Sequence, residues 1–188
     1  LDQSRNEYGK MWECPDFFPL GDKQILMVSP QDMRAFGLEF HNGNNSIFLY
    51  GQYDKQSHQF QREKVTSVDY GLDFYAPQTL LTRDGRRILI GWMQSWDANI
   101  TPVSFQWSGM MTIPRELTLE HGKIYQRPVK ELENYRTDMV RYDHLQITGA
   151  TALENIQGRV LELLLEITGF EFEHFQIRFA RNHEYETF

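Results

Sequence analysis

Phe74-Tyr75-Ala76-Pro77-Gln78-Thr79-Leu80-Leu81, then Asp84-Gly85, then Arg87-Ile88-Leu89-Ile90-Gly91-Trp92-Met93, reads as two strands joined by a tight turn. An Asp-Gly pair between two apolar runs is a hairpin signal, because the glycine takes the positive φ that such turns demand. The same grammar recurs upstream. Residues 24–28 run up to a Ser29-Pro30 break, residues 46–53 follow the turn-forming Asn42-Gly43-Asn44-Asn45, and residues 64–68 form a further β-like run. Downstream, residues 139–147, 159–167 and 172–179 read as longer strands. Residues 160–167 also fit a buried helix by periodicity, and the flanking Gly158 and Gly169 favour strand. One or two helical turns are expected over 128–135, with Pro128 at the first position. Short strands at this spacing predict an all-β barrel, sandwich or propeller, and no helix–strand alternation points to a parallel α/β sheet.

Composition narrows the function. Nineteen basic against 26 acidic residues give a net charge of −7 over 188 residues, and no run of five or more Lys/Arg occurs, so nucleic acid is a poor partner. No apolar run approaches the roughly 18 residues of a membrane span. Cys14 is the single cysteine, which rules out an intrachain disulfide and suits a reducing, cytoplasmic compartment. His41, His58, His121, His144, His174 and His183 show none of the short metal-ligand spacings, and no Gly-rich phosphate loop is present, so neither metal nor cofactor is expected. The chain opens Leu1-Asp2-Gln3-Ser4 without an initiator Met and ends in a strand-like alternation, and it reads as a fragment of something longer.

Glu13, in Met11-Trp12-Glu13-Cys14-Pro15-Asp16, is the foremost candidate for chemistry. Set between an indole, a thiol and a proline-fixed turn, its carboxyl is expected to lose water and hold a proton, as the general acid of a glycosidase does. The plain alternative is a strand glutamate with a solvated head. Cys14 is either a tuning neighbour or a small buried hydrophobe, and Asp16 is expected to bond nearby backbone amides in the turn.

Five segments in order carry a resemblance: the Glu13 run, Asp73-Phe74-Tyr75-Ala76-Pro77-Gln78-Thr79, Gly85-Arg86-Arg87-Ile88-Leu89-Ile90-Gly91-Trp92-Met93, Met111-Thr112-Ile113-Pro114-Arg115-Glu116-Leu117, and Tyr125-Gln126-Arg127-Pro128-Val129-Lys130-Glu131-Leu132. At this spacing they resemble glycoside hydrolase family 32, the family of the β-fructofuranosidases. The resemblance implies an all-β chain holding the last blades of a five-bladed β-propeller over 1–117, a linker over 118–135, and the start of a β-sandwich over 136–188. It implies a retaining enzyme in which Glu13 is the acid/base. The nucleophile and the transition-state stabiliser of the family lie in Asn-Asp-Pro and Arg-Asp-Pro runs, and neither occurs in this sequence. The chain alone is therefore expected to be inactive, with its open face covered by the missing N-terminal part of the propeller or by another chain.

The resemblance further implies that Asp73, and behind it Asp69, borders the acid/base. Tyr75 and Trp92 are implied as walls of the sugar site, and Gln78 as a partner of a sugar hydroxyl. Outside the resemblance, an aspartate near Gly71 is a turn former and an aromatic is core. Arg115 and Glu116 read as structural, as strand ion pairs commonly are, and Trp96 and Trp107 as core or rim. The implied substrate is a fructosyl-containing sugar, sucrose or its 6-phosphate. A phosphate preference would rest on Arg34, Arg62, Arg83 or Arg86, which the sequence does not separate. The rivals are an exo-fructanase or fructosyltransferase with the same machinery, and a non-catalytic sugar-binding pair of domains.

Overall fold

The computed structural model describes residues 2–71, 73–96, 104–169 and 171–179. The chain divides into two units, 1–137 and 138–188. The first is all-β and holds two four-stranded antiparallel meanders. One sheet is β1 (Met11–Leu20), β2 (Lys23–Gln31), β3 (Ile47–Asp54) and β4 (Gln59–Ser67). The other is β5 (Tyr75–Leu81), β6 (Arg87–Trp92), β7 (Arg115–Glu120) and β8 (Lys123–Pro128), followed by a short 3-10 helix, Lys130–Tyr135.

The hairpin at Asp84-Gly85 forms as expected, with Gly85 at φ 86° and Leu80 opposite Ile88. Elsewhere the strands outrun their sequence signals. The ladder of β2 continues through the expected Ser29-Pro30 break, with Trp12 opposite Pro30. Pro30 offers no N–H, but Asn45 donates its own N–H to the Pro30 carbonyl at 3.0 Å. The Cys14-Pro15 pair is no turn. It is a bulge inside β1, between Glu13 and Asp16, with Cys14 at φ 48°. Residues 118–128, expected in the linker, belong to β7 and β8, so the second sheet closes at Pro128. Pro128 ends β8 and does not start the helix, whose cap is Val129.

Strand alternation sends β2 side chains into two cores. Ile25 and Met27 join Phe18, Phe48, Tyr50, Val68, Phe74, Leu89 and Leu117 in the cluster between the sheets. Leu26 and Val28 join Met33, Phe40, Ile47, Leu49 and Phe60 on the far face of the first sheet. Gly91 is required here, since a Cβ would stand 2.5 Å from the Phe74 ring. Polar links reinforce the seam. Arg115 spans from β7 to Asp69 at 2.6 Å, and the Tyr50 hydroxyl accepts the Ile124 N–H at 3.3 Å. The far face of the second sheet is uncovered, with Leu80 56% and Tyr125 40% exposed.

In the second unit none of the runs 139–147, 159–167 and 172–179 forms a strand among the described residues, and 160–167 is not helical either. Their side chains are exposed, Val160 and Leu164 each at 96%. Alternation chooses which face a side chain takes, but a strand exists only once its N–H and C=O groups find a ladder partner. Residues 180–188 of the expected sandwich lie outside the described residues.

Candidate active site

Glu13 lies at the bulge of β1, half-buried, on the strand that runs alongside β5. Its Oε2 accepts two hydrogen bonds, from Gln31 Nε2 at 2.8 Å and from the Tyr75 hydroxyl at 2.9 Å. The same hydroxyl lies 3.0 Å from the Ser29 carbonyl, so one phenolic proton serves two acceptors. The other carboxylate oxygen, Oε1, has no partner among the described residues.

The neighbours that surround the carboxylate are not those expected from the sequence. Trp12 and Glu13 are consecutive in a strand and point to opposite faces. The indole packs into the far cluster and donates to the Tyr8 carbonyl at 2.7 Å, so it does not cover Glu13. Tyr75, expected as a wall for the sugar, is 1% exposed and offers no face for stacking. It holds the acid instead. Burial, with the bond to Glu13 behind it, pushes the Tyr75 phenol well above its usual range. The Cys14 thiol is also raised, first by partial burial and then by the Glu13 charge, so it stays protonated beside the carboxylate.

Gln78 is exposed, and its Nε2 donates to the Cys14 carbonyl at 3.0 Å, tying β5 to the bulge. Asp16 bonds across the sheets and not within a local turn: its Oδ2 accepts the Thr79 N–H at 2.8 Å and the Thr79 hydroxyl at 2.6 Å. Trp92 pairs with Tyr75 across the hairpin and makes an edge contact with Trp96, ring centroids 5.4 Å apart. Trp96 is 67% and Trp107 55% exposed, which places them on the rim and not in the core.

The described contacts bring Gln31, Tyr75, Cys14 and Gln78 to the bulge, but not Asp69 or Asp73. Asp69 has both oxygens engaged, Oδ1 by the Gly71 N–H at 2.8 Å and Oδ2 by Arg115 at 2.6 Å. Asp73 is exposed and has no hydrogen bond or ion pair among the described residues. Arg115 thus pairs with Asp69, and Glu116 with Arg86 at 3.6 Å, so each takes part in a structural ion pair. Gln31 was missed in the sequence because Ser29-Pro30-Gln31 reads as a break. Only the register of β2 against β1 brings its amide to Glu13.

Two cavities lie away from Glu13. One of about 360 Å³ sits between the β1–β2 and β5–β6 turns, and one of about 320 Å³ under residues 35–42. Among the described residues no group of three or more His, Cys, Asp or Glu could hold a metal ion, and no helix is long and apolar enough to cross a membrane.

The chain is 39% identical over 169 residues to sucrose-6-phosphate hydrolase of Escherichia coli, covering 89% of this chain and 35% of that protein. It is 37% identical over 178 residues to the enzyme of the same name from Staphylococcus xylosus, covering 94% of this chain and 36% of that one. The chain thus spans about a third of the length of these curated relatives. Among solved structures, the Bombyx mori GH32 β-fructofuranosidase BmSUC1 superposes with a TM-score of 0.68 at 37% identity, over 73% of this chain and 30% of that one. The family model described as the glycosyl hydrolases family 32 N-terminal domain matches residues 1–128, the stretch that ends with β8. The chain belongs to glycosyl hydrolases family 32.

Proposed function

We propose that this chain supplies the acid/base half of a retaining β-fructofuranosidase acting on sucrose or sucrose-6-phosphate. In this reading the two meanders are the last two blades of a five-bladed propeller, and residues 136–188 are the start of a sandwich. The enzyme works in the cytoplasm, and the nucleophile sits on blades encoded upstream. One observation carries the reading: a carboxylate on the edge strand β1, held at one oxygen by two neutral donors, with the other oxygen unpartnered among the described residues. The names of the relatives support sucrose and its phosphate over a fructan.

The chemistry follows from that carboxyl group. The upstream carboxylate attacks the fructosyl C2 as the C2–O bond breaks, and Glu13 gives its proton to the departing sugar oxygen. In the second step Glu13 takes a proton from water while the hydroxide adds to C2, which frees fructose and restores both carboxyl groups. Tyr75 and Cys14 beside Glu13 stay neutral, and no cation pairs with its carboxylate among the described residues.

The test is Glu13→Gln in the enzyme that joins this chain to its upstream blades. Sucrose hydrolysis falls by roughly 10²- to 10⁴-fold. A fructoside with a leaving group that departs unprotonated keeps its first step, and azide then accelerates turnover. Equal loss on both substrates without azide rescue would assign Glu13 a structural role.

For a phosphate preference we favour Arg34 among the four arginines. Arg62 is held by Glu7 at 2.7 Å, and Arg86 by Glu131 at 2.6 Å and Asp84 at 2.8 Å. Arg83 lies on the β5–β6 turn, at the opposite end of the sheet from Tyr75. Arg34 follows β2, three residues beyond Gln31, exposed and without an ion pair among the described residues. Arg34→Ala therefore raises KM for sucrose-6-phosphate about tenfold, the worth of roughly 1.4 kcal/mol, and leaves KM for sucrose unchanged. An equal effect on both sugars would remove Arg34 from phosphate recognition.

A further inference from the structure

We infer that Gln31 is a positioning residue for the acid/base, and that by holding Oε2 it commits Oε1 of Glu13 as the oxygen that exchanges the proton. The inference rests on the acid/base reading of Glu13 and goes beyond it in naming the oxygen and the residue that selects it.

Both donors converge on one atom. Gln31 Nε2 stands 2.8 Å and the Tyr75 hydroxyl 2.9 Å from Oε2, and neither bonds Oε1. A proton on Oε2 would have to displace one of these donors, so it resides on Oε1. The arrangement is also rigid. Met11 and Glu13 share a face of β1, and Gln31 stands opposite Met11, which makes Gln31 and Glu13 diagonal neighbours on that face. The Gln31 carbonyl accepts the Lys10 N–H at 2.9 Å. Gly9, at φ 74°, packs against that carbonyl so closely that a Cβ would collide with it. The amide is thereby fixed at its base, and its reach to Glu13 is set by the register of two strands.

The titratable groups set against Glu13 are the Tyr75 phenol from β5 and the Cys14 thiol beside it, both neutral. From β2 come Ser29 and Gln31, neither of which titrates. A hydrogen bond donated to a carboxylate favours its ionised form, and losing that bond favours the protonated one. Gln31 therefore acts on both the aim and the protonation of the acid.

The experiment uses the enzyme joined to its upstream blades, with sucrose and with an activated fructoside. Gln31→Met keeps the length of the side chain and removes the donor. It lowers kcat for sucrose roughly 10- to 100-fold, the scale expected when a catalytic group is misplaced by about an ångström. KM stays within a factor of about two, the activated fructoside is spared at its first step, and the alkaline limb of the sucrose pH profile moves up. Gln31→Glu keeps the shape and sets a like charge against Glu13, so it moves that limb further still. It provides the measurement should Gln31→Met not fold. A rise in KM with an unmoved alkaline limb would make Gln31 a sugar contact and overturn the inference, as would wild-type behaviour of both variants. The two readings separate cleanly. An active Glu13→Gln enzyme sinks the acid/base assignment, whereas an inactive one beside unaffected Gln31 variants sinks only this inference.

Discussion

The runs Glu13-Cys14-Pro15-Asp16 in β1 and Tyr75-Ala76-Pro77-Gln78 in β5 share one backbone device. In each a bulge interrupts the ladder, and the residue before the proline takes a positive φ, 48° at Cys14 and 49° at Ala76. The side chains have opposite fates. Before the first bulge stands a half-buried carboxylate; before the second stands a buried phenol, which bonds that carboxylate. After them, Asp16 accepts from Thr79, and Gln78 donates to the Cys14 carbonyl. The two bulges are stitched to each other, one presenting the Glu13 carboxylate and the other holding it in place. A bulge re-aims a side chain without ending the strand, which is why such features sit beside active sites.

The stitch at Asp16 gives the largest expected effect on stability. Asp16→Ala leaves the half-buried Thr79 N–H and hydroxyl without their acceptor and costs about 1.5–3 kcal/mol in urea denaturation. A loss below about 0.5 kcal/mol would mean that the bulges are held apart from this bond. The bulges themselves can be compared through their positive-φ residues. Ala76→Gly relieves a strained conformation and stabilises by about 0.5–1 kcal/mol, whereas Ala76→Val destabilises by about 1–2 kcal/mol, because a β-branched residue fits poorly there. Melting temperatures of the pair check the order, and a reversal would remove the strain argument. The smallest effect belongs to the uncovered face of the second sheet. Leu80→Thr stays within about 0.5 kcal/mol, because Leu80 is already 56% exposed. A larger loss in the enzyme carrying the upstream blades than in the chain alone would reveal a neighbour seated on that face.

Much of the first unit was legible in the sequence. The β5–β6 hairpin follows from Asp84-Gly85 between two apolar runs, and the class follows from strands without helices. β1 was not legible, because Cys14-Pro15 has the chemistry of a turn and the structure uses it as a bulge. Glu13 could be named from its motif, but not its partners, which depend on contacts 18 and 62 residues away. Tyr75 reads from its motif as a stacking wall, and only the meeting of β1 and β5 shows its ring buried and its hydroxyl on Glu13. In the second unit Gln176-Ile177-Arg178-Phe179 alternates polar and apolar as a strand does. It joins no strand among the described residues, because pairing is a property of two segments, and a periodic pattern specifies only one of them.

The four tryptophans have a consequence of another kind. Trp12 lies near the start of β1, Trp92 ends β6, and Trp96 and Trp107 lie in the β6–β7 connection. Every indole of the chain thus sits at the Glu13 end of the two sheets, and the opposite turns carry none. The tryptophan emission of this chain therefore reports on the Glu13 end of the sheets. Under the proposed function, a sugar bound there would perturb indoles already more than half exposed, such as Trp96, and its occupancy could be followed by titration without any label.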